Sequence, residues 1–296
     1  METRQKESDR HSLRQPMHAG SFYPGDPQEL RRTLDELLGA VCAEARETPR
    51  AVIVPHAGYQ FSGPAAACSY KVLRDGAEAI KRVILLAPSH YSYVRGVVLV
   101  EADYQTPLGV YPVDGPAIQT LKETGFPWET NRVAATGEHS DEVQIPFLQT
   151  VLPQAKLVPM IVGDLDETER AEAARTIVKV SDEQTVIVTS SDFTHYGKRF
   201  GFAPALGGDT RAGIYRLDQG AIERLPEGAD SFRDYIKSTG ATICGYNPIT
   251  LLLEIFAAQD WPIRPQLLQY YTSGDLTDDW ENSVSYAAVA LGALVS

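Results

Sequence analysis

Four of the chain's six histidines stand in polar segments that follow or separate apolar runs, a recurrence suited to binding a metal or moving protons. His56 follows Ala51-Val52-Ile53-Val54 through Pro55, and His90 follows Val83-Ile84-Leu85-Leu86-Ala87 through Pro88-Ser89. His195 follows Thr185-Val186-Ile187-Val188 through a segment that contains Asp192, and His139 lies in Glu138-His139-Ser140-Asp141-Glu142. Cys244 precedes Gly245-Tyr246-Asn247-Pro248, in which Asn247 reads as an N-cap and Pro248 as the first helical residue. A thiol there feels the positive end of the helix dipole, which favours the thiolate. His56, His90 and Cys244 together offer two imidazoles and a thiolate with a coordination position left open. That set suits Fe(II), Zn(II) or copper more than magnesium or calcium. Asp192 and His195 form D-x-x-H, in which the carboxylate fixes the tautomer of a proton-carrying imidazole; the plainer alternative is an Asp192 that caps a turn. Glu138, His139 and Glu142 are either a second acid–base group or a charged helix start with Ser140 as N-cap.

These residues need elements that bring strand ends together, and in an open α/β sheet ligands bind at the carboxyl ends of the strands. The first helix has Asp26 as N-cap and Pro27 at its first position, then Leu30, Leu34, Leu37, Leu38, Val41 and Cys42 at helical spacing. A strand over 51–54, an alanine-rich helix to about Leu73 and a strand over 82–87 make a β-α-β unit, whose strands are expected to be parallel. Residues 95–113 predict extra strands or a hairpin. Ser140 to Leu152 reads as a helix, Lys156 to Val162 as a strand, Glu167 to Val180 as a helix and Thr185 to Thr189 as a strand. Helical patterns fill much of 210–238 and Pro248 to Ala258, and strand-like runs occupy 264–272 and 284–294. The alternation predicts a three-layer α/β/α domain around a mixed, largely parallel central sheet. One such domain is expected over residues 15–296, after a polar lead-in of residues 1–14 that reads as disordered and not as a signal peptide.

A hydrophobic fraction of 43% is that of a globular chain with a full core. The net charge of −12 argues against nucleic acid and anionic membranes as partners. No stretch approaches the roughly 18 unbroken apolar residues of a membrane span, so a cytoplasmic location is expected. Three cysteines without an export signal are not expected to form disulfides. Cys42 and Cys68, in apolar or small-residue surroundings, read as packing residues. The chain has no G-x-S-x-G, H-E-x-x-H, P-loop or G-x-G-x-x-G, which removes local support for serine hydrolase, zincin and nucleotide-binding readings.

Eight motifs then occur in one order: Ala19-Gly20-Ser21-Phe22-Tyr23-Pro24, Pro55-His56-Ala57-Gly58-Tyr59, Pro88-Ser89-His90, Thr106-Pro107-Leu108-Gly109, Glu138-His139-Ser140, Ser190-Ser191-Asp192-Phe193-Thr194-His195, Cys244-Gly245 and Ser283-Val284-Ser285-Tyr286-Ala287-Ala288. In these the chain resembles the Memo family from about residue 17 onward. Memo proteins in turn resemble the class III extradiol dioxygenases, non-haem iron enzymes. The resemblance implies a mixed sheet with helices on both sides, metal binding by His56, His90 and Cys244, and Asp192 and His195 as an adjacent polar pair. It also implies radical-SAM and AMMECR-type proteins as pathway partners. The dioxygenases use a carboxylate as third ligand where this chain has a cysteine, a departure that bears on ring cleavage because a thiolate is itself oxidisable. Three functions follow as expectations: an Fe(II)-dependent oxygenase or oxidase of a small-molecule or peptide substrate, a zinc hydrolase with His195 as base, or a non-enzymatic peptide- or partner-binding adaptor.

Overall fold

The computed structural model describes residues 12–294 apart from Cys42 and Arg46. Among the described residues eleven strands run in chain order: β1 (Ser12–Arg14), β2 (Ala51–Val54), β3 (Arg82–Pro88), β4 (Val97–Leu99), β5 (Ala102–Thr106), β6 (Gly109–Tyr111), β7 (Lys156–Val162), β8 (Thr185–Ser190), β9 (His195–Gly197), β10 (Pro265–Thr272) and β11 (Asn282–Leu291). The central sheet has the order β10-β11-β2-β8-β3-β7-β4, with β9 paired to the start of β11. Its middle strands β2, β8, β3 and β7 are parallel. The outer strands β11, β10 and β4 are antiparallel to their neighbours, so the sheet is mixed, and parallel at its centre.

Every residue of β2 and β8 is buried, as strands covered on both faces by helices require. Helix Tyr59–Arg74 packs on β2, β10 and β11 beside helices Pro27–Ala40 and Ile145–Val151. Helix Tyr246–Ala258 packs on β3 and β8 beside helices Glu167–Ile177 and Ala229–Thr239. The first helix starts as its residues dictate: the Asp26 carboxylate accepts from Gln28 N and Glu29 N, and Leu30, Leu34 and Leu38 line its buried stripe. Cys42 lies outside the described residues; Cys68 is buried in helix Tyr59–Arg74.

β2 and β3 are parallel as expected, with β8 hydrogen-bonded between them. Two expectations are corrected. The helix expected over 140–152 is two, His139–Glu142 and Ile145–Val151. Pro146 lacks the N–H that a continuous helix would donate to Glu142 O, and is tolerated only in the first turn of a new helix. Finally, Ser12–Arg14 is not disordered: it pairs in parallel with β5, and Arg14 is 3% exposed. The Arg14 guanidinium is ion-paired with Asp141 and donates to Tyr104 Oη at 2.9 Å, contacts a polar lead-in does not announce. No helix among the described residues is long and apolar enough to cross a membrane.

Candidate metal centre

The order β2-β8-β3 places three parallel strand ends side by side, and each delivers one candidate. β2 leads to His56, β8 to Asp192 and β3 to His90. Cys244 enters from the loop before helix Tyr246–Ala258. Gly245 permits this approach, since a Cβ there would stand 2.2 Å from Ser191 Cβ. One ligand atom from each of His56, His90 and Cys244 lies within 4.8 Å of the other two. Cys244 Sγ is 3.1 Å from His56 Nε2.

The hydrogen-bond network fixes which ring nitrogen each histidine presents. Ser190 Oγ donates its only proton to Ser140 O at 2.6 Å and accepts from Gln144 Nε2 at 3.0 Å. Its 2.8 Å contact with His56 Nδ1 must therefore be an N–H of the imidazole, which leaves Nε2 as a lone pair facing Cys244. His90 Nδ1 donates to Glu138 Oε1 at 2.8 Å, so its Nε2 is likewise a free lone pair. Glu138 also accepts from the backbone N–H groups of His90, His139 and Ser140. Burial opposes its charge, but the hydrogen bonds from His139 and His90 outweigh that and hold its carboxyl well below the usual carboxylate range.

Burial holds His56 well below the ordinary imidazole value, and His195 down at about 4, in both cases helped by neighbouring histidines. Burial lowers His139 too, although Glu138 Oε1 lies 3.1 Å from its Nδ1. These imidazoles are neutral at pH 7. Since the unfolded chain takes up protons near pH 6.5 and folded His195 only near pH 4, stability falls as pH drops through that window. In chelator-treated protein about 3 kcal/mol is expected to be lost on this account by pH 4. Denaturation midpoints measured from pH 7 to pH 4 should drop, and His195→Gln should flatten the curve; an unchanged curve would show His195 is not held neutral.

Two sequence expectations fail here. The Asp192 carboxylate does not orient His195: Oδ1 accepts from His56 N at 2.7 Å and Ala57 N at 3.3 Å, and thereby fixes the histidine loop after β2. Burial raises Asp192 to about 6. His195 is placed through its backbone, which exchanges hydrogen bonds with Thr242 Oγ1, and its Nε2 is buried without a partner. Nor is the Cys244 thiolate favoured on its own. Burial and the nearby Asp192 carboxylate push the thiol up, more than its hydrogen bonds with the Asp192 backbone, Ser191 and the Gly245 backbone offset. The helix start is also not the expected one: Gly245 is the N-cap, while Asn247 donates to Asp164.

The segment holding His139 does start a helix. Glu138, not Ser140, caps the helix, and Glu142 faces away, accepting from Tyr23 Oη at 2.7 Å and His18 N at 2.8 Å. His139 lies beside His56 and His90, with ring centroids at 5.4 and 4.6 Å. A cleft of about 610 Å³ opens against His139, Asp192 and His195, walled by Phe22, Phe61 and Tyr286. Of the aromatic residues around these motifs, Tyr23 and Tyr59 are core residues. Gln144 and Thr242 escaped the sequence reading because a lone hydroxyl or amide carries no motif, and Ser190, though inside a motif, had no role assigned to its hydroxyl.

The Memo-like protein family matches this chain over residues 14–290. The chain belongs to the Memo family. A MEMO1 family protein of Methanopyrus kandleri is 32% identical over 290 residues, covering 93% of this chain and 98% of its own length. A memo-1 homolog of Caenorhabditis elegans is 33% identical, covering 94% of this chain and 82% of its own. Human MEMO1 is 32% identical, with 96% and 99% covered. The match spans the two strand-end histidines, the loop after β8 and Cys244, which the fold gathers at one edge of the sheet.

Proposed function

We propose that this Memo-family chain is a metal-dependent redox enzyme acting on a small molecule or peptide, with the cation, Fe(II) in the first instance, held by His56, His90 and Cys244. The observation that carries the reading is the pair of Nε2 lone pairs, each set by a hydrogen bond at Nδ1, beside one sulfur. A nitrogen, nitrogen, sulfur set with room beside it suits iron, zinc or copper. A redox-active cation bound there supplies the electron and dioxygen chemistry that these side chains lack.

The chain's own residues do the rest. Cys244 gives up its proton to become a ligand, so loading releases a proton despite the raised thiol. Glu138 holds the His90 ring in its binding tautomer, and Ser190 does the same for His56. His139 and His195, both neutral, border the cleft as proton acceptors. Phe22, Phe61 and Tyr286 limit water around a bound substrate.

Protein purified without oxygen or added metal is expected to carry iron near stoichiometry by elemental analysis. In Cys244→Ser the content should fall, with affinity reduced by more than the roughly 10- to 100-fold that loss of an outer hydrogen-bond partner costs. Iron retained in full by the folded variant would remove Cys244 from the site; stoichiometric zinc with oxygen-independent turnover would move the reading to hydrolysis.

A further inference from the structure

Arg50 stands just before β2, at the opposite end of that strand from His56, and so roughly 20 Å from the candidate metal centre at about 3.3 Å per residue. It is 3% exposed, and its guanidinium carbon lies 4.4 Å from the centroid of the Trp261 ring. Nη1 donates to Asp182 O at 2.8 Å and to Thr185 O at 3.4 Å. Nε is buried with no hydrogen-bond partner, and Nη2 has no acceptor among the described residues. No carboxylate among them forms an ion pair with Arg50; that of Asp182 pairs with Arg82 instead, at 3.0 Å. Burial accordingly lowers the pKa of the guanidinium, and Glu183 and Asp182 offset this only in part. A buried cation with unused donors is a costly arrangement unless those donors meet an anion or water. Arg50 lines a cavity of about 430 Å³, walled by Pro49, Trp261, Pro262 and Ala290. Arg264 lines it too, exposed and in no ion pair among the described residues, and Glu47, also exposed, is the one carboxylate in its described lining.

We propose that this cavity binds a small organic acid, its carboxylate received by the Nε and Nη2 edge of Arg50 and its apolar body laid against Trp261 and the prolines. Nε and Nη2 form a planar fork of N–H groups that meets both oxygens of a carboxylate at once. Nη1 is tied to carbonyls that lie outside the cavity, so the unused edge is what Arg50 can offer to it. Stacking on Trp261 fixes the plane of the fork, and little side-chain freedom is left to lose on binding. One buried cation matches a single negative charge, and walls of proline, alanine and tryptophan match an apolar body. Arg264 draws an anion to the mouth without adding the second buried cation that a phosphate dianion needs. The cavity shares no residue with the metal centre or with the cleft beside it, and the proposal stands whether or not a metal binds there.

Benzoate is the probe, titrated into the full chain and followed by saturation-transfer NMR. One saturable site is expected, with uncharged benzamide at least about 10-fold weaker, the effect of one charge-assisted hydrogen bond. Arg50→Lys keeps the charge but loses the fork, and should weaken benzoate by a similar factor. Ala293→Phe, which fills the cavity and leaves Arg50 in place, should abolish binding. Arg199→Gln, in the cleft beside the histidines, should change nothing. Circular dichroism and the denaturation midpoint confirm that each variant is folded. Binding that survives both Arg50→Lys and Ala293→Phe, or that is lost in Arg199→Gln, would overturn the site, and an absence of saturable binding would leave the fork to water. Inorganic phosphate that displaces benzoate below benzoate's own half-saturating concentration would overturn the assignment to an organic acid.

Discussion

Arg14→Ala is expected to cost about 3–5 kcal/mol of folding stability, the range for removing one partner of a buried ion pair. The Arg14 guanidinium bonds both oxygens of Asp141, donates to Glu138 O and Tyr104 Oη, and lies 4.7 Å from the Tyr104 ring centroid. Burial alone would lower its pKa, but Asp141 and its other neighbours more than reverse this, and it stays charged. Its removal strands the Asp141 carboxylate, fully buried, with the Tyr104 hydroxyl at 2.6 Å as its remaining side-chain donor. Urea denaturation of the metal-free protein measures the loss. Arg14→Met with Asp141→Leu, which removes both charges, should recover most of it, since an apolar replacement of a buried pair is often near neutral. A loss below about 1 kcal/mol in Arg14→Ala would place this pair with ordinary surface bridges.

Glu138→Gln should weaken metal binding 10- to 100-fold, the usual consequence of losing the outer partner of a ligating imidazole. Glu138 meets four N–H donors with two oxygens: His90 Nδ1 and the backbone of His90, His139 and Ser140. An amide offers one oxygen and turns an NH2 group towards donors. The His90 ring is then free to rotate or to take the other tautomer, which withdraws Nε2 from the ligand set. Competition with a chromophoric chelator gives the affinity. The amide oxygen that remains can still cap the helix at His139, a cap worth about 1 kcal/mol, so a drop in affinity without any drop in stability would separate ring orientation from capping. Unchanged affinity would mean that His90 is not a ligand or needs no orienting partner.

Much of this site is legible before any coordinates. Continuous apolar runs ending in Pro-His or Pro-Ser-His announce buried parallel strands, and parallel strands deliver their ends to a common edge. That was enough to associate His56, His90 and the segment after β8. It was not enough to place β8 between β2 and β3, because strand order depends on pairing over distances that local pattern does not encode. Asp192 and His195 illustrate a different failure. Spacing predicted mutual contact, yet backbone N–H groups at His56 and Ala57 claimed the carboxylate first, since buried donors must be satisfied. For Cys244 the sequence shows the helix start but not the burial, and it is burial that pushes the thiol up. Arg14 was invisible because an arginine in a polar segment gives no hint of a buried acid more than a hundred residues away.

The interposition of β8 also dictates when the centre comes into being. His56 and His90 are synthesised early, but the strand that separates and aligns their own strands is made about a hundred residues later, and Cys244 stands 188 positions beyond His56. Contacts so far apart in the chain form slowly and late. A ribosome-bound fragment holding only β2 and β3 has no sheet in which these two can take their final places. The side chains of the proposed centre therefore come together only after β8 and then Cys244 have been made.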